Sequence, residues 1–217
     1  SLTTIIQSTY LGGSVFDSAR RIAIHPVSGD VYIQGSSSSS NFPGTTGGAK
    51  PTFSTDSDSY ISRLNSTLTS ITQSTFLNLV SNYGIAIHPV LGDIFFAGYR
   101  FGSIENPDTL GGLQATATGE EDAYIGRVNS DLTEFIQATY LGGSAYDTAY
   151  AIAIHPMSGE VYTAGTGLSS NFPGTSGGAQ PRSGSPNVYE AFIARMTPSL
   201  ALNDYTLTAA KSGLGSG

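Results

Sequence analysis

The sequence contains no cysteine, and only 12% of its 217 residues are charged. Without cysteine there is no disulfide framework, no thiolate metal site and no cysteine nucleophile. Basic residues are scarce, 9 against 16 acidic ones, which gives a formal net charge of −7. Because nucleic acids and anionic membrane surfaces attract basic surfaces, this balance disfavours both as partners.

Long apolar runs are also missing. No stretch approaches the roughly 18 residues of a membrane span, and no charged segment followed by an apolar core opens the chain as a signal peptide would. The chain begins at Ser1 without a methionine, and we expect a mature or excised segment of a longer precursor. Hydroxyl and amide residues between the apolar runs favour an extracellular or cell-surface location.

One segment occurs three times in the chain. The sequence RIAIHPVSGDVYIQG at 21–35 returns as GIAIHPVLGDIFFAG at 84–98 and as AIAIHPMSGEVYTAG at 151–165. Self-similarity at a nearly constant period, here about 65 residues, indicates a propeller, a solenoid or another repeat array. Isoleucines on one face and an alanine on the other, as in Ile22, Ala23 and Ile24, are typical of an inner strand between two sheets.

Each repeat carries the signals of four short strands joined by Gly/Pro turns. After the hairpin that contains the His-Pro turn, a long NFPGT-type loop leads to a third strand starting at Asp58, Asp122 or Glu190. The loop before the hairpin, GGSVFDSAR, is shortened to NLVSNY in the second repeat. An outer-strand pattern occurs at 3–11, 70–77 and 134–141, with a weaker version at 202–209. No segment has a helical apolar period.

These signals predict an all-β fold, a single β-propeller-type repeat array. Its three four-stranded antiparallel blades span about 14–77, 78–141 and 142–209, with a surplus outer-type strand at 3–11 and a flexible tail at 210–217. Three blades do not close a ring, because propellers typically have four or more. We expect either further blades of a longer parent chain or association of copies, in which the surplus strand completes the sheet of another subunit.

The motifs TYLGGSxxD, IAIHPxSGxVYxxG, NFPGTxGGAxP and DAYIxRxN resemble the SBBP ("beta-propeller repeat") family of bacterial and archaeal surface proteins. All three repeats match, over about 3–209. The resemblance implies a secreted or cell-surface propeller that is usually non-catalytic and often one module of a larger protein. The chain departs from it in two ways: such repeats commonly carry aspartate where His25, His88 and His155 stand, and the second repeat is shortened.

The three recurring histidines and the acidic groups have alternative interpretations. Convergence of His25, His88 and His155 near an axis would form a metal site, but we favour each histidine bonding to its own His-Pro turn. No GxSxG-type nucleophile motif accompanies them. The acids at 56–58 and 120–122 fall short of a calcium loop, and we expect solvated carboxylates that cap turns. Two well-separated carboxylates could also serve a glycosidase, but the sequence does not indicate which two acids would form the pair.

Two further sets of residues recur at equivalent positions. We expect structural ion pairs between three arginines and the acids of the hairpins, a substrate carboxylate or phosphate being the alternative partner; the pairs are Arg63–Asp30, Arg127–Asp93 and Arg195–Glu160. Phe42 and Phe172 of the NFPGT loops either contact a glycan or protein partner or fold back over the blade. Asn65-Ser66-Thr67 matches an N-glycosylation acceptor.

The leading prediction is a non-catalytic extracellular structural or adhesive module without a cofactor, which associates with further copies of itself or with further blades. The alternative is a ligand-binding, lectin-like propeller that recognises a glycan or a surface protein. A remote alternative is a hydrolase or lyase with its site at the propeller axis.

Overall fold

A computed structural model describes residues 3–54, 57–77, 81–101, 107–184 and 188–201 of the chain. The weaker outer-strand pattern at 202–209, the tail at 210–217 and Asp56 lie outside these residues. Among the described residues, no helix is long and apolar enough to span a bilayer.

The strands form three antiparallel sheets, so the predicted all-β class is confirmed. Sheet 1 consists of β1 Asp17–Ile24, β2 Val31–Ser37, β3 Asp58–Leu64 and β4 Ile71–Phe76. Sheet 2 consists of β5 Ser81–Ile87, β6 Ile94–Phe101, β7 Glu121–Val128 and β8 Phe135–Leu141. Sheet 3 consists of β9 Asp147–Ile154, β10 Val161–Gly167 and β11 Glu190–Met196. Strands that follow each other in the chain are neighbours in each sheet, as short hairpin connections require.

The first strand of each sheet is joined to the second by the His-Pro turn, as predicted. Each turn ends in a glycine with positive φ, which is 74° at Gly29, 77° at Gly92 and 74° at Gly159. A side chain at these positions would be strained, so the turn requires glycine. The first strand begins earlier than predicted: β1 starts at Asp17, inside the segment expected to be a loop. A bulge between Ala19 and Arg21 holds one extra residue, Arg20.

The turn after the third strand places a leucine in the left-handed region. Leu68, Leu132 and Leu200 have φ values of 58°, 59° and 57°, a conformation that costs a non-glycine residue about 1 kcal/mol or more. Leu132 and Leu200 are fully buried in the two clusters between sheets. Their burial offsets the strain, since it contributes about 2 kcal/mol for each leucine.

Two apolar clusters lie between the sheets, on opposite faces of sheet 2, and a third, formed by Phe42, Tyr60 and Phe76, lies between sheet 1 and its long loop. Tyr32 and Ile61 of sheet 1 pack against Phe96 and Tyr124 of sheet 2 in the first cluster. The second cluster joins the opposite face of sheet 2 to sheet 3, through residues that include Phe95, Ile125, Val161 and Met196. The first strands are neighbours, with β5 in contact with both β1 and β9. As predicted for an inner strand, β5 is therefore covered on both faces.

The predicted strand at 3–11 belongs to no sheet in the single chain, so that prediction is wrong for one copy. Residues 3–13 have an irregular conformation, and the side chains of Ile5, Ile6 and Tyr10 are 82%, 95% and 101% exposed. A strand forms only against a partner that accepts its backbone hydrogen bonds, and among the described residues this segment has none.

Candidate functional site

Each histidine hydrogen-bonds to its own turn, which confirms the favoured interpretation. In the first repeat, Nδ1 of His25 accepts from the backbone amides of Val27 and Ser28, both at 3.2 Å. His88 and His155 make the same two contacts with their own turns. Because Nδ1 accepts, the hydrogen of the neutral ring is on Nε2. Burial, together with the nearby Arg127 guanidinium, lowers the pKa of His88.

The histidines do not converge: His25 lies between sheets 1 and 2, His88 lies between sheets 2 and 3, and His155 belongs to the turn of sheet 3. The Nε2 of His25 points at Gly92 in the turn of sheet 2, and a Cβ on that glycine would be 2.9 Å from it. His88 meets Gly159 of sheet 3 in the same way. No cluster of three or more His, Cys, Asp or Glu side chains suited to a metal occurs within the described ranges.

The arginines pair with the acids of the hairpins, as expected. Nη2 of Arg63 lies 2.6 Å from Asp30 Oδ2, and that of Arg127 lies 2.5 Å from Asp93 Oδ2. The third pair is looser, with 3.5 Å between Arg195 Nε and Glu160 Oε1. The Arg195 side chain is also 66% exposed, against 20% for Arg63 and 16% for Arg127.

The phenylalanines of the NFPGT loops fold back over their own sheets. Phe42 is 3% exposed, and its ring lies 4.2 Å from that of Tyr60. Phe172 is half-buried and lies 4.4 Å from Phe192. Covering the sheet is therefore the role that these contacts support.

Asp58 and Asp122, at the start of two third strands, are buried, which corrects the expectation of solvated carboxylates for these two acids; Glu120 is exposed. Asp58 is 2% exposed and Asp122 is fully buried. Asp122 Oδ2 accepts from the amide of Thr118 at 2.8 Å, so it does cap a turn. Burial, with a smaller contribution from Asp147, raises the pKa of Asp122. Asn65 also caps its turn, with Oδ1 accepting from the Thr69 amide at 2.8 Å.

Two polar contacts join sheet 1 to sheet 2 and are repeated between sheet 2 and sheet 3. The amide of Ala49 donates to the carbonyl of Leu132 at 2.8 Å, and the amide of Leu113 donates to that of Leu200 at 3.0 Å. Likewise, Arg63 Nη1 donates to the Ser130 carbonyl at 3.2 Å, and Arg127 Nη1 to the Pro198 carbonyl at 3.1 Å. The two junctions therefore follow one pattern.

Residues equivalent to those of the two junctions also lie at the two ends of the array. The tail end is the side of sheet 3 that no other described sheet covers, with His155, Ala179, Ile193 and Arg195 at the positions that contact the next sheet elsewhere. The head end is the free side of sheet 1, with Ile22, Ile24, Gly29 and Leu68 at the positions that contact the preceding sheet.

Exposure separates these end residues from their buried equivalents. Ile193 is 81% exposed, whereas the equivalent Ile61 and Ile125 are fully buried. Ile22 and Ile24 are each 64% exposed. Their equivalents in β5 and β9 pack against the clusters between sheets; they are Ile85 and Ile87, and Ile152 and Ile154.

Sequence reasoning missed the glutamine of the outer strand. Gln73 Nε2 donates to the carbonyls of Gly44 and Thr46 at 2.8 and 3.1 Å and so ties the long loop to β4. Gln137 ties the second loop to β8 in the same way, at 3.1 and 3.2 Å. The signal was available, because glutamine recurs at this position as Gln7, Gln73 and Gln137.

Comparison of the chain with protein-family models finds no matching family, and comparison with curated proteins finds no significant match. The resemblance to beta-propeller repeats therefore stays a prediction, carried by the motifs themselves.

Proposed function

We propose that the chain is a non-catalytic structural or adhesive module of the β-propeller type, secreted or displayed on a cell surface, which assembles head to tail with further copies of itself. The stacked antiparallel sheets, the contact between first strands and the repeat motifs support the propeller arrangement. Three blades leave two open ends, and these ends are the sites at which copies meet.

One observation carries the proposal: the tail end and the head end are complementary halves of a junction that already occurs twice within the chain. In a head-to-tail contact, Ile193 of one copy packs against Ile22 and Ile24 of the next. Each isoleucine buried there contributes about 2 kcal/mol. Because the contact joins different surfaces, it is heterologous and produces either a closed ring or an open filament.

The same contact repeats, between copies, the polar pairs of the junctions within the chain. Ala179 donates to the Leu68 carbonyl of the next copy, as Ala49 donates to Leu132 within the chain. Arg195 reaches the Ser66 carbonyl, as Arg63 reaches Ser130. His155 lies against Gly29, at which a Cβ would meet no histidine in the single chain. An adhesive patch of unrelated composition would not reproduce these pairs.

A cavity of about 700 Å³ favours a second candidate function, ligand binding. It lies between the third NFPGT-type loop and β11 and is lined by residues that include Phe172, Arg182 and Glu190. In sheets 1 and 2, however, the fourth strand runs beside the equivalent loop. We therefore interpret the cavity as the space that a fourth strand would fill. A lectin-like function is the alternative.

Negative-stain electron microscopy of the purified chain, combined with a glycan array, tests the proposal. Rings or filaments built from several copies, without glycan binding, are the expected result. Single unassembled chains would contradict the structural function, and binding of a defined glycan would replace it with the ligand-binding alternative.

A further inference from the structure

Among the described residues, sheet 3 lacks the fourth strand that covers the outer edge in sheets 1 and 2. In sheets 1 and 2 the third strand pairs with a fourth, β3 with β4 and β7 with β8. Within the described part of the chain, β11 pairs with β10 alone. The edge of β11 thus presents a template for strand addition.

The fourth strand also holds the long loop of its sheet. Besides the glutamine contacts, Thr75 Oγ1 accepts from the Lys50 amide at 2.8 Å, and Thr139 Oγ1 accepts from the Gln114 amide at 2.9 Å. The backbone adds a bond from the Phe76 amide to the Lys50 carbonyl at 3.0 Å. A strand that fits this edge therefore needs glutamine and threonine two positions apart.

The third loop has nearly the same sequence as the first but an open side where that strand would run. A Cβ on Gly44 in the first loop would lie 2.8 Å from the Ile71 side chain of β4. At Gly174 and Gly177 of the third loop, a Cβ would meet no atom of the described residues within 4 Å. The cavity of about 700 Å³ lies along this side of the loop.

The N-terminal segment 3–11 carries the required residues. Its sequence TTIIQSTYL places Gln7 at the position of Gln73, Thr9 at that of Thr75 and Tyr10 at that of Phe76. The weaker pattern at 202–209, aligned through Leu200 with the turns at Leu68 and Leu132, has Tyr205 and Leu207 in place of the glutamine and the threonine. The N-terminal segment therefore matches this edge better than the chain's own continuation does.

The link between this segment and β1 already has the conformation of a link between two sheets. Between β8 of sheet 2 and β9 of sheet 3, the Gly143 amide donates to Asp147 Oδ2 at 2.8 Å. After the N-terminal segment, the Gly13 amide donates to Asp17 Oδ2 at 2.7 Å. The next residue repeats the match: the Ser144 amide donates to Asn171 and the Ser14 amide to Asn41, at 2.9 and 3.0 Å.

We infer that residues 3–11 of a second copy form the fourth strand of sheet 3, pairing antiparallel with β11. The pairing of β3 with β4 sets the register: Tyr10 lies opposite Phe192, Ser8 opposite Ala194 and Gln7 opposite Arg195. Gln7 then donates to the carbonyls of Gly174 and Ser176. This inference rests on the proposed self-assembly and names its connecting element. Two copies that exchange strands form six sheets, within the four to eight of known propellers.

Engineered cysteines test this register in a chain that has none of its own. The hydroxyl oxygens of Ser62 and Ser74, which occupy the equivalent positions in sheet 1, are 2.7 Å apart, so cysteines there are close enough for a disulfide. We expect a mixture of Ser8→Cys chains and Ala194→Cys chains to give a disulfide-linked dimer on mild oxidation. In the control, Ala191→Cys replaces Ala194→Cys; position 191 lies about 10 Å farther along β11, so no cross-link is expected.

Two outcomes would overturn the inference and differ from failure of the proposed function. One is assembly by size without the Ser8–Ala194 cross-link. The other is an intrachain disulfide in a Thr206→Cys, Ala194→Cys double variant, which would identify the chain's own 202–209 segment as the fourth strand. If no assembly forms at any concentration, the proposed function itself fails.

Substitution of Gln7 gives a second test without cysteines. We expect Gln7→Ala to weaken assembly roughly tenfold, since it removes the hydrogen bonds to the loop. The control is Ile6→Thr, because threonine stands at the equivalent position 72 of β4 and is exposed there. Equal weakening by both variants, or by neither, would contradict the role of Gln7.

Discussion

The backbone amide of Ala49 donates to the carbonyl of Leu132, 2.8 Å away in the next sheet. Ala49 belongs to the long NFPGT-type loop, and Leu132 is the strained residue of the turn between β7 and β8. The loop therefore joins neighbouring sheets, and Ala179, the equivalent of Ala49 in the third copy, faces no further sheet among the described residues. In the proposed assembly, the third loop makes this contact with the next copy.

Ile193→Glu should abolish assembly and leave the single chain folded. Ile193 is 81% exposed in one chain, so a carboxylate there is solvated until copies meet, when its burial becomes costly. Size-exclusion chromatography with light scattering measures the loss, and circular dichroism checks the fold.

Met157→Glu is the matched control for that variant. Met157 is 88% exposed, and its equivalents Val27 and Val90 are 84% and 81% exposed. Because this position is exposed in all three repeats, it does not belong to the junction. Loss of assembly in Met157→Glu as well would attribute the effect to charge alone.

Gly159→Ala should destabilise the chain more than Gly29→Ala. Both glycines have a φ of 74°, which costs alanine about 1 kcal/mol. Only Gly159 also lies against the His88 ring, so its substitution should cost about 2–3 kcal/mol in total. Urea unfolding of both variants, in the unassembled Ile193→Glu background, compares them.

Equal destabilisation by the two glycine variants would mean that the histidine makes no tight contact at the junction. In the assembled wild-type background we expect the difference to shrink, because Gly29 then lies against His155 of another copy.

Arg127→Gln should lower the free energy of unfolding by about 2 kcal/mol, because it leaves Asp93, whose side chain is 13% exposed, without its cation. Arg195→Gln should leave the stability of the single chain nearly unchanged, since that side chain is 66% exposed. Arg195→Gln should instead weaken assembly. The opposite order in urea unfolding would contradict the assignment of Arg195 to the tail end.

Asp122→Asn should raise the free energy of unfolding above that of the wild type, and the increase should be larger at neutral pH than at acidic pH. Burial raises the pKa of Asp122 above its ordinary value near 3.8, so the folded state binds the proton more tightly than the unfolded state. The stability that this carboxyl contributes is complete below its unfolded pKa and is lost as the pH rises through the folded pKa. The asparagine side chain does not ionise, so the variant does not lose this stability as the pH rises.

The measurement for Asp122→Asn is urea unfolding at pH 4 and at pH 7.5, with the exposed Glu134→Gln as the control for net charge. The difference between Asp122→Asn and the wild type should grow toward pH 7.5. A difference that shrinks with rising pH would show that Asp122 is stabilised in its charged form.

The repeat made most of the fold predictable. Alternation around Ile22, the His-Pro turns and the glycines that end them indicated the antiparallel hairpins, and recurrence also indicated the Arg127–Asp93 pair. The predictions that failed concern features that depend on contacts between residues distant in sequence. The sequence pattern of residues 3–11 is that of a strand, but within one chain this segment pairs with no strand of the described residues. The burial of Asp122 follows from the loop folded over it, which local sequence does not encode.

Which members of each equivalent set are exposed at the two ends could not be predicted from the sequence either. Ile61, Ile125 and Ile193 occupy equivalent positions, yet only Ile193 is exposed, because only sheet 3 has no following sheet among the described residues.

Sedimentation velocity of the unmodified chain over a range of concentrations tests head-to-tail assembly most directly. We expect species whose masses are multiples of 22.5 kDa, beginning with the pair of chains, and a shift toward single chains only on dilution or on substitution of Ile193. A single species of 22.5 kDa at every concentration up to about 100 μM, which excludes even weak association, would contradict the account.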